Sequence, residues 1–169
     1  MEIEILQMIE GARKARGCAI IIDVFRAFSL ECYMMAGGAD KVLPVGSKET
    51  AYRLKEEHPD YLLAGERHGA ILPGFDLGNS PSQAAGMNLK GKTIIHTTSA
   101  GTQGVTNAEH ADIILTGSLV NAGAIARLIQ EKRIPARFSG LYGAGRERTG
   151  SGRSALCRIY PEPSERRNI

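Results

Sequence analysis

The 169-residue chain has no tryptophan, and aromatic residues make up only 5% of it. That speaks against an aromatic-lined sugar site or a single-strand nucleic-acid surface, both of which need stacking faces. No apolar run approaches the ~18 residues of a membrane span. Cysteine is scarce: Cys18, Cys32 and Cys157 lack metal-type spacing, and an odd number suggests reduced cytosolic thiols. The first residues, Met1-Glu2-Ile3-Glu4, carry acids where a signal peptide needs bases, so no export signal is expected and the expected location is cytoplasmic. Net charge is small, +3, and unevenly placed. Residues 1–145 hold 15 basic and 15 acidic side chains, whereas residues 146–169 hold six arginines and three glutamates. A basic tail of this kind is usually a solvated end and does not make the body a nucleic-acid binder. Neither a nucleic-acid partner nor a membrane is expected.

The apolar share of 43% and charged share of 23% are those of an ordinary globular domain. Along the chain, β-type apolar runs alternate with helical patterns. Cys18 to Asp23 is a continuous apolar run ending on an acid, as in a strand buried on both faces. Helical signals follow at Ala27–Gly37, from the Ser47 N-cap to Glu57, at Ser82–Met87, up to about Asn107, and at Asn121–Lys132. Strand signals stand at 41–45, 61–64, 93–97, 112–116 and 137–142. Residues 65–81, rich in Gly and Pro, read as a long loop. About six β-α repeats predict a three-layer α/β/α fold with a mostly parallel central sheet, in one domain over 1–145, with an irregular tail over 146–169.

In such sheets ligands bind beyond the carboxyl ends of the strands. Asp23 and Arg26 follow the first buried run. A carboxylate there is partly desolvated and needs a cation, for which Mg²⁺ or Arg26 would serve, but a helix cap or buried ion pair explains it equally well. Glu66-Arg67 follows the next strand and reads by default as a surface pair. His68 would serve as a general acid, but an exposed loop histidine more often has no special role. Asp76, with Asn79 and Ser80 near it, fits a hard-cation site or an Asx-turn. The run Thr97-Thr98-Ser99-Ala100-Gly101-Thr102 places four hydroxyls between a strand and a helix, where a phosphate-type anion is the natural guest. Ser118 and Asn121 repeat that arrangement more weakly. His96, inside an apolar strand, reads as a packed residue rather than a base. Gly150 to Ser154 is not a P-loop, because Glu147 stands where glycine is required and arginine replaces lysine.

Taken together, Ile22-Asp23-Val24-Phe25-Arg26-Ala27, Leu63-Ala64-Gly65-Glu66-Arg67, Gly74 to Pro81, the Thr-rich loop with Gly101-Thr102, and Gly117 to Asn121 resemble the 2-phosphosulfolactate phosphatase family of coenzyme M biosynthesis. Order and spacing agree over roughly residues 18–145, and the segment at 74–81 is the most specific. The resemblance implies a Mg²⁺-dependent phosphoric monoester hydrolase that converts 2-phosphosulfolactate to sulfolactate and phosphate. Its substrate would be a small, multiply charged anion, which needs arginines and helix N-termini to hold it. On that reading Asp23, Glu66 and Asp76 hold Mg²⁺, one of them doubling as base or nucleophile. Arg26 and Arg67 clamp the anion, and Asn79, Ser80, Thr97, Thr98, Ser99, Gly101, Thr102, Ser118 and Asn121 surround it.

Two departures qualify the resemblance. The family usually has Asn where this chain has Ala100, which leaves a related 2-phospho acid open as substrate. The family also continues beyond this length, with an acidic segment and a Cys-Ala helix after the last strand. Here an Arg/Pro-rich tail follows Thr149. Codons chosen for 152–166 allow a one-base shift that reads Asp-Glu-Ala-Leu-Cys-Ala-Glu-Tyr-Ile-Arg-Ser-Leu-Leu-Lys-Gly, an amphipathic helix. The tail is therefore expected to be a frameshift product, with the last helices and strands missing and a sheet edge exposed, which would favour homo-oligomers. The competing expectation is a non-catalytic anion-binding or truncated inactive relative. A nucleotide- or flavin-binding reading lacks any fingerprint loop.

Overall fold

The computed structural model describes residues 2–134 and 137–141. The tail from 146, Cys157, the segment 150–154 and the reframed stretch lie outside the described residues. The elements, in chain order, are β1 (Glu2–Glu4), α1 (Met8–Lys14), β2 (Gly17–Ile22), α2 (Ala27–Ala36), β3 (Lys41–Pro44), α3 (Lys48–Glu57), β4 (Leu62–Arg67), β5 (Ala70–Ile71), α4 (Pro81–Ala85), β6 (Thr93–Thr97), α5 (Gly101–Asn107), β7 (Ala111–Gly117), α6 (Ala122–Lys132) and β8 (Arg137–Leu141).

This is an α/β fold in which, among the described residues, all strand pairs but one are parallel. Their strands hydrogen-bond in two groups of four, in the orders β1-β8-β2-β7 and β3-β6-β4-β5, and of the described pairs only the short β4–β5 pair is antiparallel. The class and the parallel pairing are those expected from the sequence, but the strands are split where one central sheet was expected. The composition of α2 gives the reason. Its sequence, AFSLECYMMA, has no polar face. Such a helix has apolar residues to bury on more than one side, with Tyr33 and Met35 left exposed. Ala27 and Phe28 pack with Ala19 and Ile21 of β2, whereas Leu30 and Met34 pack with Ala64 of β4 and Ile94 of β6. The helix thus joins the cores of the two strand groups, and α5 packs beside it against both β2 and β3.

The other helices each cover one side. Ile125 and Ile129 of α6 pack on Ile20 and Ile22 of β2. Ala51 of α3 packs with Leu63 and Ile95. Ser47 caps α3, its Oγ accepting the Thr50 amide at 3.0 Å.

One boundary differs in a way that positions the site. The sequence ends a strand at Ala64, but β4 runs on to Arg67. Gly65 allows it. Its φ is +142°, and a Cβ built there would lie 1.9 Å from the Thr97 carbonyl oxygen. Only glycine lets the strands approach this closely, and the extra residues carry Glu66 to the carboxyl edge. The sequence reading also left β1, α1 and β5 unassigned.

Candidate active site

The carboxyl ends of β2, β4 and β6 open onto a cavity of about 260 Å³ lined by Asp23, Phe25, Arg26, Glu66, His68, Gly69, Asn79, Ser99 and Ala100. Asp23 follows directly on β2 and is 8% exposed. Its carboxylate lies by the opening residues of α2 and α5, Ala27 and Gly101, whose backbone amides favour its charged form. It thus faces the positive ends of two helices. Burial pushes its carboxyl above the ordinary value. The two amides and the His96 imidazole pull the other way, and Glu66 pushes it up again.

Glu66 is also buried. Its Oε1 accepts the Ser99 amide at 2.8 Å, and its Oε2 accepts the Gly69 amide at 2.6 Å and the Ser99 hydroxyl at 3.2 Å. Burial drives its carboxyl up, but these donors together with Arg67 outweigh that and hold it below its ordinary value. Glu66 is thus an ionised clasp that ties the β4–β5 turn to the loop after β6. The Ser99 hydroxyl accepts the His68 amide at 3.0 Å, and His68 takes a left-handed φ of 55° at the cavity wall.

The remaining residues singled out in the sequence divide into two groups. Arg26 and Asn79 line the cavity, and the Asn79 Oδ1 is buried with no hydrogen-bond partner among the described residues. Arg67 turns away, donating to the Glu66 and Gly46 carbonyls and to the Thr97 hydroxyl. The Thr97 hydroxyl in turn donates a hydrogen bond to the Val45 carbonyl. Thr98 and Thr102 cap each other: the Thr98 amide donates to the Thr102 hydroxyl at 2.8 Å, and the Thr102 amide to the Thr98 hydroxyl at 3.2 Å. Ser118 donates from its amide and hydroxyl to Asn121, whose Nδ2 donates to the Thr116 carbonyl. Ser80 pairs with Ser82.

The Thr-rich loop therefore differs from the open anion cradle read in the sequence. Its hydroxyls bond within the protein, and the Ser99 and Gly101 amides face the carboxylates of Glu66 and Asp23. The sequence could not distinguish an anion supplied by a ligand from one supplied by a side chain.

Asp76 is not brought to the other two carboxylates. Its Oδ2 accepts the Leu63 amide at 2.8 Å, near the opposite end of β4. Leu63 and Glu66 are three strand positions apart, about 10 Å. Among the described residues no group of three His, Cys, Asp or Glu side chains could hold a metal ion. Two carboxylates on one cavity do suit Mg²⁺, which keeps most of its waters and takes one or two carboxylates alongside substrate oxygens.

His96 is the packed strand residue expected from the sequence, but its partner Glu31 was not among the expected site residues. His96 is fully buried, and its Nδ1 lies 2.9 Å from Oε1 of Glu31, which is 7% exposed. The signal available was a single acid in the otherwise apolar α2.

Two buried carboxylates at the carboxyl edge of a parallel α/β sheet stand where ligands bind in such folds. Comparisons with known proteins specify the family. Residues 3–152 match the family described as 2-phosphosulpholactate phosphatase, and the chain belongs to that family. A protein of Carboxydothermus hydrogenoformans is 42% identical over 127 residues, covering 75% of this chain and 52% of the relative. One from Symbiobacterium thermophilum is 40% identical over 111 residues, 64% of this chain and 48% of the relative. One from Bacillus subtilis is 38% identical over 112 residues, 66% and 49% respectively. Each carries the name probable 2-phosphosulfolactate phosphatase. The chain spans about half the length of these curated relatives. No helix among the described residues is long and apolar enough to cross a membrane.

Proposed function

We propose that this chain carries the phosphate-handling site of a phosphoric monoester hydrolase acting on 2-phosphosulfolactate or a related 2-phospho acid. The observation that carries the reading is that Asp23 and Glu66 are both buried and both line one cavity, which Arg26 also lines. Arg26 is exposed and supplies the positive charge and planar donor fork that a phosphoryl group needs. The unpartnered Asn79 Oδ1 takes a hydrogen bond from a donor on the ligand, which a 2-hydroxy acid product offers.

Hydrolysis forms a bond from water oxygen to phosphorus, breaks the ester P–O bond, and moves one proton from the water to the departing alkoxide. Asp23 is the group suited to hold that proton in transit, because burial favours its neutral form. Glu66, kept ionised, fixes the wall against which the anion lies. Mg²⁺, when bound, would be held by the ionised Glu66 together with substrate oxygens and would neutralise phosphoryl charge. A 2-phospho acid substrate fits coenzyme M biosynthesis as the family resemblance implies, and the free thiols of Cys18 and Cys32 fit the cytoplasm.

A second reading, an anion-binding relative without turnover, is favoured by the lack of a three-carboxylate cluster among the described residues. Binding of inorganic phosphate followed by ³¹P NMR tests what the two readings share. Saturable binding that Arg26→Ala weakens supports them, and no binding at millimolar phosphate removes both.

A further inference from the structure

Glu66 lines the cavity, whereas Arg67, the next residue of β4, does not. Successive side chains leave a strand on opposite faces, so an arginine beside Glu66 in sequence is turned away from the face Glu66 serves. A half-buried guanidinium needs acceptors. No carboxylate among the described residues is in ion-pair contact with it. Arg67 instead donates to three oxygens: the Glu66 carbonyl at 2.7 Å, the Thr97 hydroxyl at 2.8 Å and the Gly46 carbonyl at 3.2 Å.

Those oxygens belong to three different strand ends. Glu66 stands near the end of β4, Thr97 closes β6, and Gly46 lies just beyond β3. In the order β3-β6-β4-β5, β6 separates β3 from β4. The ends that Arg67 joins are thus two strand spacings apart, about 9–10 Å. Arginine suits that span, because its long stem ends in a planar fork of five donors, whereas lysine ends in a single mobile ammonium. The same corner is tied again from α5, where Gln103 Nε2 donates to the Gly46 carbonyl and, at 3.3 Å, to the Thr98 carbonyl.

This brace and the Glu66 clasp share their elements. Arg67 holds the Glu66 backbone and the Thr97 side chain. The Glu66 carboxylate holds the amide of Ser99, two residues beyond Thr97, at 2.8 Å. The clasp therefore forms only when the ends of β4 and β6 keep a fixed separation, and Arg67 bonds directly to both. Glu66 and Ser99 line the cavity together.

We propose that Arg67 is a positioning residue that braces the carboxyl ends of β3, β6 and β4 and so sets the Glu66–Ser99 wall of the cavity. Its effect on ligand passes through that wall, without contact between Arg67 and the ligand. The bearing on phosphate rests on the phosphate-site reading above, but the wall itself can be tested without a ligand.

Amide hydrogen exchange in the intact chain gives the direct test, with Ser99 as reporter of the clasp and Ile95, in the middle of β6, as reporter of general stability. Arg67→Lys and Arg67→Gln both lose the fork, and each is expected to speed Ser99 exchange about tenfold more than that of Ile95. Arg53→Gln, which removes an exposed arginine from α3, is expected to leave Ser99 unchanged. Equal acceleration of Ser99 and Ile95 would show a merely structural role and overturn the proposal. A native Ser99 rate in Arg67→Lys would show that charge suffices without the fork, and would also overturn it. Inorganic phosphate affinity adds a second arm. Arg67→Lys should weaken it about tenfold in the native background and not further in Glu66→Ala, where the clasp is already gone. Equal loss in both backgrounds would show that Arg67 holds the anion itself, contrary to the proposal. Should the native chain bind no phosphate, the function reading fails and Ser99 exchange alone decides the brace. Should neither Arg67 variant fold, the ¹⁵N guanidinium signals of Arg67 in the native chain decide it: hindered rotation is expected, and free rotation would overturn the brace.

Discussion

Gly101 and Asp23 are built against each other: a Cβ placed on Gly101 would stand 2.9 Å from Oδ2 of Asp23 and 2.7 Å from the Cβ of Ala27. The missing side chain lets the opening of α5 approach the carboxylate. Gly101→Ala is therefore expected to push Asp23 away from the openings of the two helices. Urea unfolding should show a loss of about 1–3 kcal/mol, typical of an overpacked site. Phosphate affinity should fall as well. Unchanged affinity would mean that the placement of Asp23 has no bearing on the ligand.

Gly65 and Gly69 separate steric contact from backbone strain. Both have positive φ, +142° and +85°, but a Cβ at Gly65 meets the Thr97 carbonyl whereas one at Gly69 meets nothing within 4 Å. Gly69→Ala should cost about 1–2 kcal/mol, the penalty of a left-handed conformation for a residue with a Cβ. Gly65→Ala should cost clearly more, because β4 and β6 must separate. Equal unfolding free energies would contradict that contact.

Glu66 gives a pH dependence with a definite sign. Its carboxyl is held below its ordinary value in the folded chain. A group depressed in this way contributes stability above its unfolded value, and that contribution is lost as pH falls through the folded value. Glu66→Gln should therefore lower the melting temperature most at neutral pH. The gap to the native chain should close in the acid range below the ordinary glutamate value. A gap that is constant with pH would show that the charge is not what the Ser99 and Gly69 amides recognise.

Asp76 tests whether the aspartate of the Gly74–Pro81 segment serves the site or the strand. Its contact is the Leu63 amide, with Leu63 in turn accepting the Asp76 amide at 3.0 Å. Asp76→Ala should cost about 1–2 kcal/mol of stability for the lost charge-assisted bond, and should leave phosphate affinity unchanged. A large loss of affinity with no loss of stability would return Asp76 to the metal-ligand role the family resemblance implies.

Much of this was legible in the sequence, for identifiable reasons. The apolar run 18–22 ending on Asp23 and the Gly-Glu-Arg at 65–67 are local signals, and both acids line one cavity. The division of the strands was not legible, because it depends on which helix is covered on both sides. Only α2's uniform apolarity hints at that. Arg67 and the threonines show how little residue type says about where a donor points. Residue type shows that a donor is present, but the neighbouring strand decides whether it meets the Gly46 carbonyl, another threonine or solvent. Glu31 and His96 lie 65 positions apart, so no sequence window contains the pair.

The most direct measurement is phosphate release from 2-phosphosulfolactate by this chain, in Mg²⁺ and in EDTA, beside the Asp23→Asn variant and a full-length relative. The expected result is release that requires the metal and is lost in Asp23→Asn. Release by the relative alone, with none from this chain under either condition, would contradict a sufficient catalytic site here and leave anion binding without turnover.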